Sequence, residues 1–310
     1  MRTISIPAFA KVNLQLDIVR KRPDGYHELR TVFQTISLHD RLTLSLLAPK
    51  SAPWQAIRAR QAAPRRWEGG IVLECNDPSL PTGRENLVWR ALDLLRRELR
   101  LKAGIHARLD KWIPAGRGLG GGSSDAAAAL VGLLRLAQST GLKAAFALPR
   151  ARWLEMAASL GADVPFFLLG GRALGVGRGD QIYPLDDIAT HPVLVVSPAG
   201  IAVPTKDAYA WASRRLTKGL STPKLLRFCA LCWSSQGGPL WNDFEPAVFA
   251  KHPRLRAVKR GLLRAGATDA ALAGSGSAVY GFFRNPAQAR RAAELFPNDQ
   301  VFLAETVSRT

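Results

Sequence analysis

Apolar residues along the chain fall into short runs whose period switches between two and 3.6, the pattern of strands interleaved with helices. Residues 4–9 and 12–19 alternate or run apolar with β-branched side chains, which predicts two strands, and Pro23-Asp24-Gly25 supplies a turn after them. Two further strands are expected over 31–38 and 41–47. Residues 86–101 have helical periodicity with Asn86 as the N-cap. A strand over 105–109 leads into a glycine-rich segment. An Ala/Leu helix follows from Ser124 to Thr140, with Gly141 placed as its C′ residue.

The second half changes style. A strand over 193–197 precedes helices over 206–216, 224–233 and 255–265. Strands over 270–273 and 278–283, a helix over 287–296 and a strand over 300–307 complete it. Without the inserted helices this is a β-α-β-β-α-β plan, the split motif of ferredoxin-like domains. The fold class is therefore α+β in two domains, 1–174 and 175–310, with the boundary region at 175–190. Residues 47–70 break the pattern, being rich in Ala, Pro and Arg with five basic residues and one acid. They read as a surface insertion between strands or, alternatively, as a basic binding arm.

Composition narrows the class. At 310 residues, 47% hydrophobic and 22% charged, the chain has material for a sizeable core, which excludes disorder as its main character. Its longer apolar runs, such as Val193 to Val203 with Pro198 inside it, fall far short of the ~20 residues a membrane span needs, so no membrane partner is expected. Lys and Arg total 43 against 24 Asp and Glu, a formal charge of +19. Such a field attracts phosphates of any kind, whether on nucleic acid, lipid or a nucleotide. Of the three cysteines, Cys229 and Cys232 form a C-x-x-C with no second ligand pair, so they read as helical thiols near the core. Few cysteines and an N-terminal run broken by Pro7 and Lys11 point to a reducing cytoplasm.

The densest chemistry lies in Pro114, Ala115, Gly116, Arg117, Gly118, Leu119, Gly120, Gly121, Gly122, Ser123 and Ser124, five glycines in eleven residues ahead of a helix. Glycines let the backbone approach a ligand closely, and a serine-capped helix start offers free N–H groups at a positive dipole end. That suits a polyphosphate. Walker A fails because Gly122 stands where its Lys belongs, and the Rossmann spacing at Gly116, Gly118 and Gly121 lacks the acid expected about 20 residues on. Asp125 is placed to favour the helix dipole, or else to support a metal.

This segment resembles the second motif of the GHMP kinases, the superfamily of galactokinase, homoserine kinase and mevalonate kinase. Ala10-Lys-Val-Asn-Leu-Gln-Leu16, Arg22-Pro-Asp-Gly-Tyr-His-Glu-Leu29, residues 31–38 and Gly161-Ala-Asp-Val-Pro-Phe-Phe167 are similar to the branch of that superfamily that phosphorylates 4-diphosphocytidyl-2-C-methyl-D-erythritol. So are residues 242–245, while Leu272-Ala-Gly-Ser-Gly-Ser-Ala-Val-Tyr280 resembles the third GHMP motif. The motifs run nearly end to end, in family order. Two features depart from the pattern: the length of 47–70, and Arg117 in place of a small residue, which leaves a phosphate contact and a solvent-facing position both open.

The resemblance implies an N-terminal domain like ribosomal protein S5 domain 2, a ferredoxin-like C-terminal domain, and ATP with Mg²⁺ as phosphoryl donor. The metal's ligands stay open. It implies that Asp163 accepts the acceptor hydroxyl's proton and that Lys11 favours the developing alkoxide, with Asn13 on the same side of the strand. Without the resemblance, Asp163 reads equally well as a helix or turn cap. The resemblance also implies that Tyr26 stacks on cytosine, that His27 hydrogen-bonds its edge and that Tyr209 covers the opposite ring face, while a turn tyrosine such as Tyr26 also reads as packing on its own domain. Gly274, Ser275 and Gly276 would close the phosphate site, though the same tripeptide also reads as a simple hairpin turn. A nucleic-acid binder is the rival from another class, but the chain lacks an RNP-like aromatic motif and such a role leaves Asp163 idle. Oligomeric state is not legible.

Overall fold

The computed structural model describes residues 2–47, 70–213, 226, 228–230, 232 and 239–309. The insertion at 47–70, its two end residues apart, and most of the helix expected over 224–233 lie outside the described residues. The fold is α+β, and the chain forms two compact units, each discontinuous in sequence. Unit 1 comprises Met1–Ala8, His39–Trp112 and Gly121–Leu168, and unit 2 comprises Phe9–Leu38, Ile113–Gly120 and Leu169–Thr310.

Two long strands open the chain where four shorter ones were expected. Strand β1 runs Arg2–Lys21 and β2 runs His27–Leu47. Lys11 and the His39-Asp40 pair look like breaks in sequence, but Lys11 and Asp40 are buried and hydrogen-bonded, so the extended backbone continues through them. The turn between the strands forms as expected, with Gly25 at φ +85° and the Arg22 N–H donating to the Tyr26 carbonyl at 2.8 Å.

In unit 1, β4 (Gly104–Asp110) pairs antiparallel with the end of β2 and parallel with β3 (Ile71–Cys75). Helices α1 (Leu87–Glu98) and α2 (Gly121–Ser139) pack together over a core that includes Leu42, Leu44, Leu92, Ile105, Leu130 and Leu133. Asn86 caps α1 as expected, its side chain accepting from the Val88 N–H at 2.8 Å. Gly141 ends α2 at φ +78°. Gly132, mid-helix, lets α2 close on the strands, because a Cβ there would stand 2.7 Å from Leu44 Cδ1. Helices α3 (Lys143–Phe146), α4 (Arg150–Leu160) and α5 (Val164–Leu169) follow.

In unit 2, β5 (Arg172–Gly177) pairs antiparallel with the first half of β2, and β6 (Gln181–Pro184) extends it as a hairpin. A separate four-stranded sheet carries β7 (Pro192–Ser197), β9 (Asp269–Leu272), β10 (Val279–Phe282) and β11 (Gln300–Glu305). Its order is β11-β7-β10-β9, with every neighbour antiparallel. Helices α6 (Thr205–Ser213), α7 (Glu245–Lys251) and α8 (Pro253–Arg264) precede β9, and α9 (Pro286–Ala293) precedes β11. This is the ferredoxin-like arrangement the sequence predicts. The hairpin β5–β6, the two-residue strand β8 (Trp241–Asn242) and α7 were not anticipated. Each is too short, or too interrupted by glycine and proline, to show a period.

Candidate functional site

The glycine segment is held by backbone contacts on both sides. Within unit 2, the Lys11 N–H donates to the Leu119 carbonyl at 2.9 Å, and the Ala278 N–H donates to the Arg117 carbonyl at 3.1 Å. Gly118 lies so close to the 273–276 turn that a Cβ would fall 1.9 Å from the Ala273 oxygen, and one on Gly276 would fall 2.1 Å from Arg117 C. These two glycines therefore serve close backbone approach between loop and turn. Gly116, at φ +70°, has open space where its Cβ would be. The Arg117 guanidinium donates to Ser277 Oγ at 2.9 Å, a use neither sequence alternative included.

Helix α2 begins at Gly121, three residues earlier than expected, directly after Gly120 turns the chain at φ +74°. Ser123 and Ser124 consequently sit inside the first turn and do not stand at the cap position, which corrects the capping role. The expected place of Asp125 at the dipole is also corrected. It lies beyond the first turn, buried, and forms an ion pair with Lys111 at 2.7 Å.

Lys11 is 4% exposed, and its ammonium donates to Asn13 Oδ1 at 2.7 Å. Asn13 in turn donates to Thr31 Oγ1, and Tyr280 donates to the Asn13 carbonyl, both at 2.7 Å. The Phe33 ring lies 5.4 Å from the Lys11 nitrogen, within cation–π range. A methyl on Gly274 would stand 3.2 Å from Lys11 Nζ, so the 272–280 segment passes close to this lysine. Asn242 holds that motif in place, its amide donating to the Leu272 and Gly274 carbonyls at 2.8 and 2.7 Å. Ser275 Oγ is 3.3 Å from Thr205 Oγ1.

At the β1–β2 turn, Tyr26 is 58% exposed, with the Arg178 guanidinium 5.1 Å from its ring centre. His27 stacks on Tyr209 with ring centres 4.8 Å apart, and its Nε2 is 2.7 Å from Ser213 Oγ. Burial, then the nearby Lys21 charge, lowers the His27 pKa and favours the neutral ring. One face of Tyr209 is thus directed at His27 in this structure. Sequence reasoning did not find Arg178 or Ser213, whose neighbours are set only by the folded chain.

In unit 1, Asp163 is half-buried and immediately precedes α5, inside a turn closed by the Val164 N–H donating to the Gly161 carbonyl at 3.1 Å. The position suits either of the uses open in sequence. A Cβ on Gly161 would be 3.7 Å from Ser123 Oγ, so this turn lies beside the start of α2. Sequence reasoning also missed a buried cluster here: Lys111 donates to both Asp40 and Asp125. Burial pushes the Asp125 carboxyl up to about 7, with Lys111 opposing and Asp40 adding to the shift. Burial pulls the Lys111 ammonium down, but the two carboxylates outweigh it and hold its pKa above the ordinary value. The signal was present as Asp110-Lys111-Trp112 just before the glycine segment, without a visible partner for the lysine.

No described helix is long and apolar enough to cross a membrane. Among the described residues no group of three or more His, Cys, Asp or Glu side chains is gathered to hold a metal.

Comparison with known proteins places these motifs. The family model for the GHMP kinases N terminal domain matches residues 86–171, and that for the GHMP kinases C terminal region matches 225–298. The 4-diphosphocytidyl-2-C-methyl-D-erythritol kinase of Solibacter usitatus is 42% identical, over 99% of this chain and 90% of that protein. The protein of the same name from Geobacter sulfurreducens is 36% identical, over 95% of each. A crystal structure of 4-(cytidine 5'-diphospho)-2C-methyl-D-erythritol kinase superposes with a TM-score of 0.75 at 32% identity, covering 98% of this chain and 99% of that one.

Proposed function

The chain belongs to the 4-diphosphocytidyl-2-C-methyl-D-erythritol kinase family of the GHMP kinases, and from that premise we propose that it transfers the γ-phosphoryl group of ATP to the 2-hydroxyl of 4-diphosphocytidyl-2-C-methyl-D-erythritol, a step of non-mevalonate isoprenoid synthesis. One observation carries the reading. In unit 2 the buried Lys11 ammonium donates to Asn13 and leaves no room for a longer side chain at Gly274, while the Lys11 backbone anchors Leu119 of the glycine segment. Three motifs far apart in sequence thus converge on one cation, which sets a positive charge beside the glycine segment.

In this reading the N–H groups of residues 114–124, with the start of α2, cradle the phosphates, and Gly274, Ser275 and Gly276 complete that cradle. Gly116 and Gly120 supply the left-handed corners the cradle needs. Asp163 takes the proton of the acceptor hydroxyl, and Lys11, oriented by Asn13, favours the developing alkoxide. Tyr26 stacks on the cytosine ring. His27, kept neutral and oriented by Ser213, hydrogen-bonds the base edge, and Tyr209 backs that imidazole while lining the pocket. Mg²⁺ accompanies ATP. It is held mainly through phosphate oxygens and water. Residues 1–174 would then form the ATP-binding domain and 175–310 the partner domain. We place the enzyme in the cytoplasm, with a small cytidine diphosphate as its substrate and no nucleic acid or membrane partner.

The test is ATP consumption with Mg²⁺ in the presence of 4-diphosphocytidyl-2-C-methyl-D-erythritol, homoserine or mevalonate in turn. Turnover with the cytidyl compound alone is expected. Turnover only with homoserine or mevalonate would overturn the base pocket and keep the phosphate site.

A further inference from the structure

Residues 113–120 leave unit 1 after Trp112, and the chain returns at Gly121. Lys111 stands one residue before the departure and Asp125 four residues after the return. The Lys111 ammonium donates to Asp125 Oδ2 at 2.7 Å and to Asp40 Oδ2, and all three side chains are buried. Asp40 also accepts the Trp112 N–H through its other oxygen at 2.5 Å. Asn76 grips the Lys111 backbone from both sides, accepting its N–H at 2.7 Å and donating to its carbonyl at 3.3 Å. The lysine therefore cannot shift without breaking contacts to β2, to the segment after β3 and to α2.

Two carboxylates facing one ammonium, with Asp125 Oδ1 left without a hydrogen-bond partner, are an expensive way to fill a core. Apolar side chains of similar volume would pack as well. Such a cluster does what apolar packing does less sharply: it sets one distance between two points of the chain fourteen residues apart, and those points bracket the glycine segment.

We propose that Lys111, bridging Asp40 and Asp125, is a positioning residue for the nucleotide, clamping together the two ends of the glycine segment so that the first turn of α2 presents its N–H groups and Ser123 and Ser124 in one fixed place. The inference rests on the reading of residues 114–124 as the ATP site. Its consequence is specific. Loosening the clamp weakens MgATP while leaving the cytidyl acceptor's binding and the chemical step largely alone, because Tyr26, His27 and Lys11 are held by other contacts.

The experiment compares wild-type protein with Lys111→Met, Asp125→Ala and Asp125→Asn, using direct MgATP titration and steady-state kinetics with each substrate varied. Lys111→Met and Asp125→Ala are expected to raise the Kd and KM of MgATP about tenfold, with kcat and the acceptor KM within about twofold. Asp125→Asn keeps an oxygen that accepts from Lys111 and should recover most of the loss. Should Lys111→Met fail to fold, the Asp125→Ala and Asp125→Asn pair decides. Folded variants with unchanged MgATP affinity, or with kcat and both KM values damaged alike, would overturn the clamp. Wild-type protein that turns over the acceptor yet shows no loss in Asp125→Ala defeats the clamp alone. Absence of MgATP binding in the wild type defeats the reading of the glycine segment, and this inference with it.

Discussion

Burial holds the Asp125 carboxyl back from ionising, which ties stability to pH. Its folded pKa is pushed up to about 7, with burial the largest cause, from an ordinary value of 3.8. Between those two values the unfolded chain has released a proton that the folded chain keeps. The contribution is therefore full below about pH 4 and is lost as pH rises towards 7, by up to about 1.4 kcal/mol per pH unit. Asparagine has no proton to lose, so the stability of Asp125→Asn relative to wild type should climb from pH 5 to 7 and level off above. Urea unfolding midpoints at pH 5, 6, 7 and 8 check this, and two parallel curves would remove Asp125 as the titrating group. At the proposed reaction centre, Asp163→Asn should cut turnover by about 10²–10⁴-fold with ATP affinity little changed. If turnover survives, Asp163 is only the residue ahead of α5. Tyr26, exposed and touched by Arg178, has little packing to lose, so Tyr26→Ala should raise the acceptor KM without lowering the melting temperature by more than a degree or two. An unchanged acceptor KM would end its stacking role. Lys11, Asn13 and Tyr26 were singled out through the family resemblance, with strand alternation and a Pro-Asp-Gly turn giving only their places in the chain. The Lys111 cluster was not, because its three members come from β2, the residue after β4 and α2, which only the folded chain brings together.

Elements were legible in proportion to their regularity. Helix α1 announced itself through Asn86 and a clean apolar stripe, and α2 through its Ala/Leu run, although its start moved to Gly121 because glycine accepts helical backbone as readily as loop backbone. Strands β1 and β2 were each split in the sequence reading at a charged residue that the fold buries and pairs. The glycine segment is where element and site meet, and its glycines are not equivalent. Gly118 combines a φ of +87° with the 1.9 Å approach to the Ala273 carbonyl, whereas Gly116 combines a similar φ with empty space. Gly118→Ala must therefore push the 273–276 turn away, and it should cost about 3 kcal/mol. Gly116→Ala faces only the backbone penalty, about 1 kcal/mol. Denaturant melts of the two variants separate these cases. Equal losses would mean that loop and turn do not pack as described.

At the scale of the whole molecule the outstanding property is charge, +19 over 310 residues. Composition alone could not say which anion that field serves, since nucleic acid, lipid and nucleotide all answer to it. The site narrows the choice. A proposed donor and a proposed acceptor that both carry phosphates would be drawn in by the same field, and long-range attraction of this kind acts on encounter and not on the chemical step. Raising salt from about 20 to about 200 mM shortens the Debye length from roughly 20 Å to roughly 7 Å. The expectation is that kcat/KM for the cytidyl acceptor falls several-fold across that range while kcat stays constant. A neutral viscogen run in parallel separates steering from a change in the rate-limiting step. If kcat/KM is indifferent to salt, the surplus arginines and lysines do not steer the substrates. A kcat that falls with KM constant would instead place salt-sensitive ion pairs inside the working part of the enzyme.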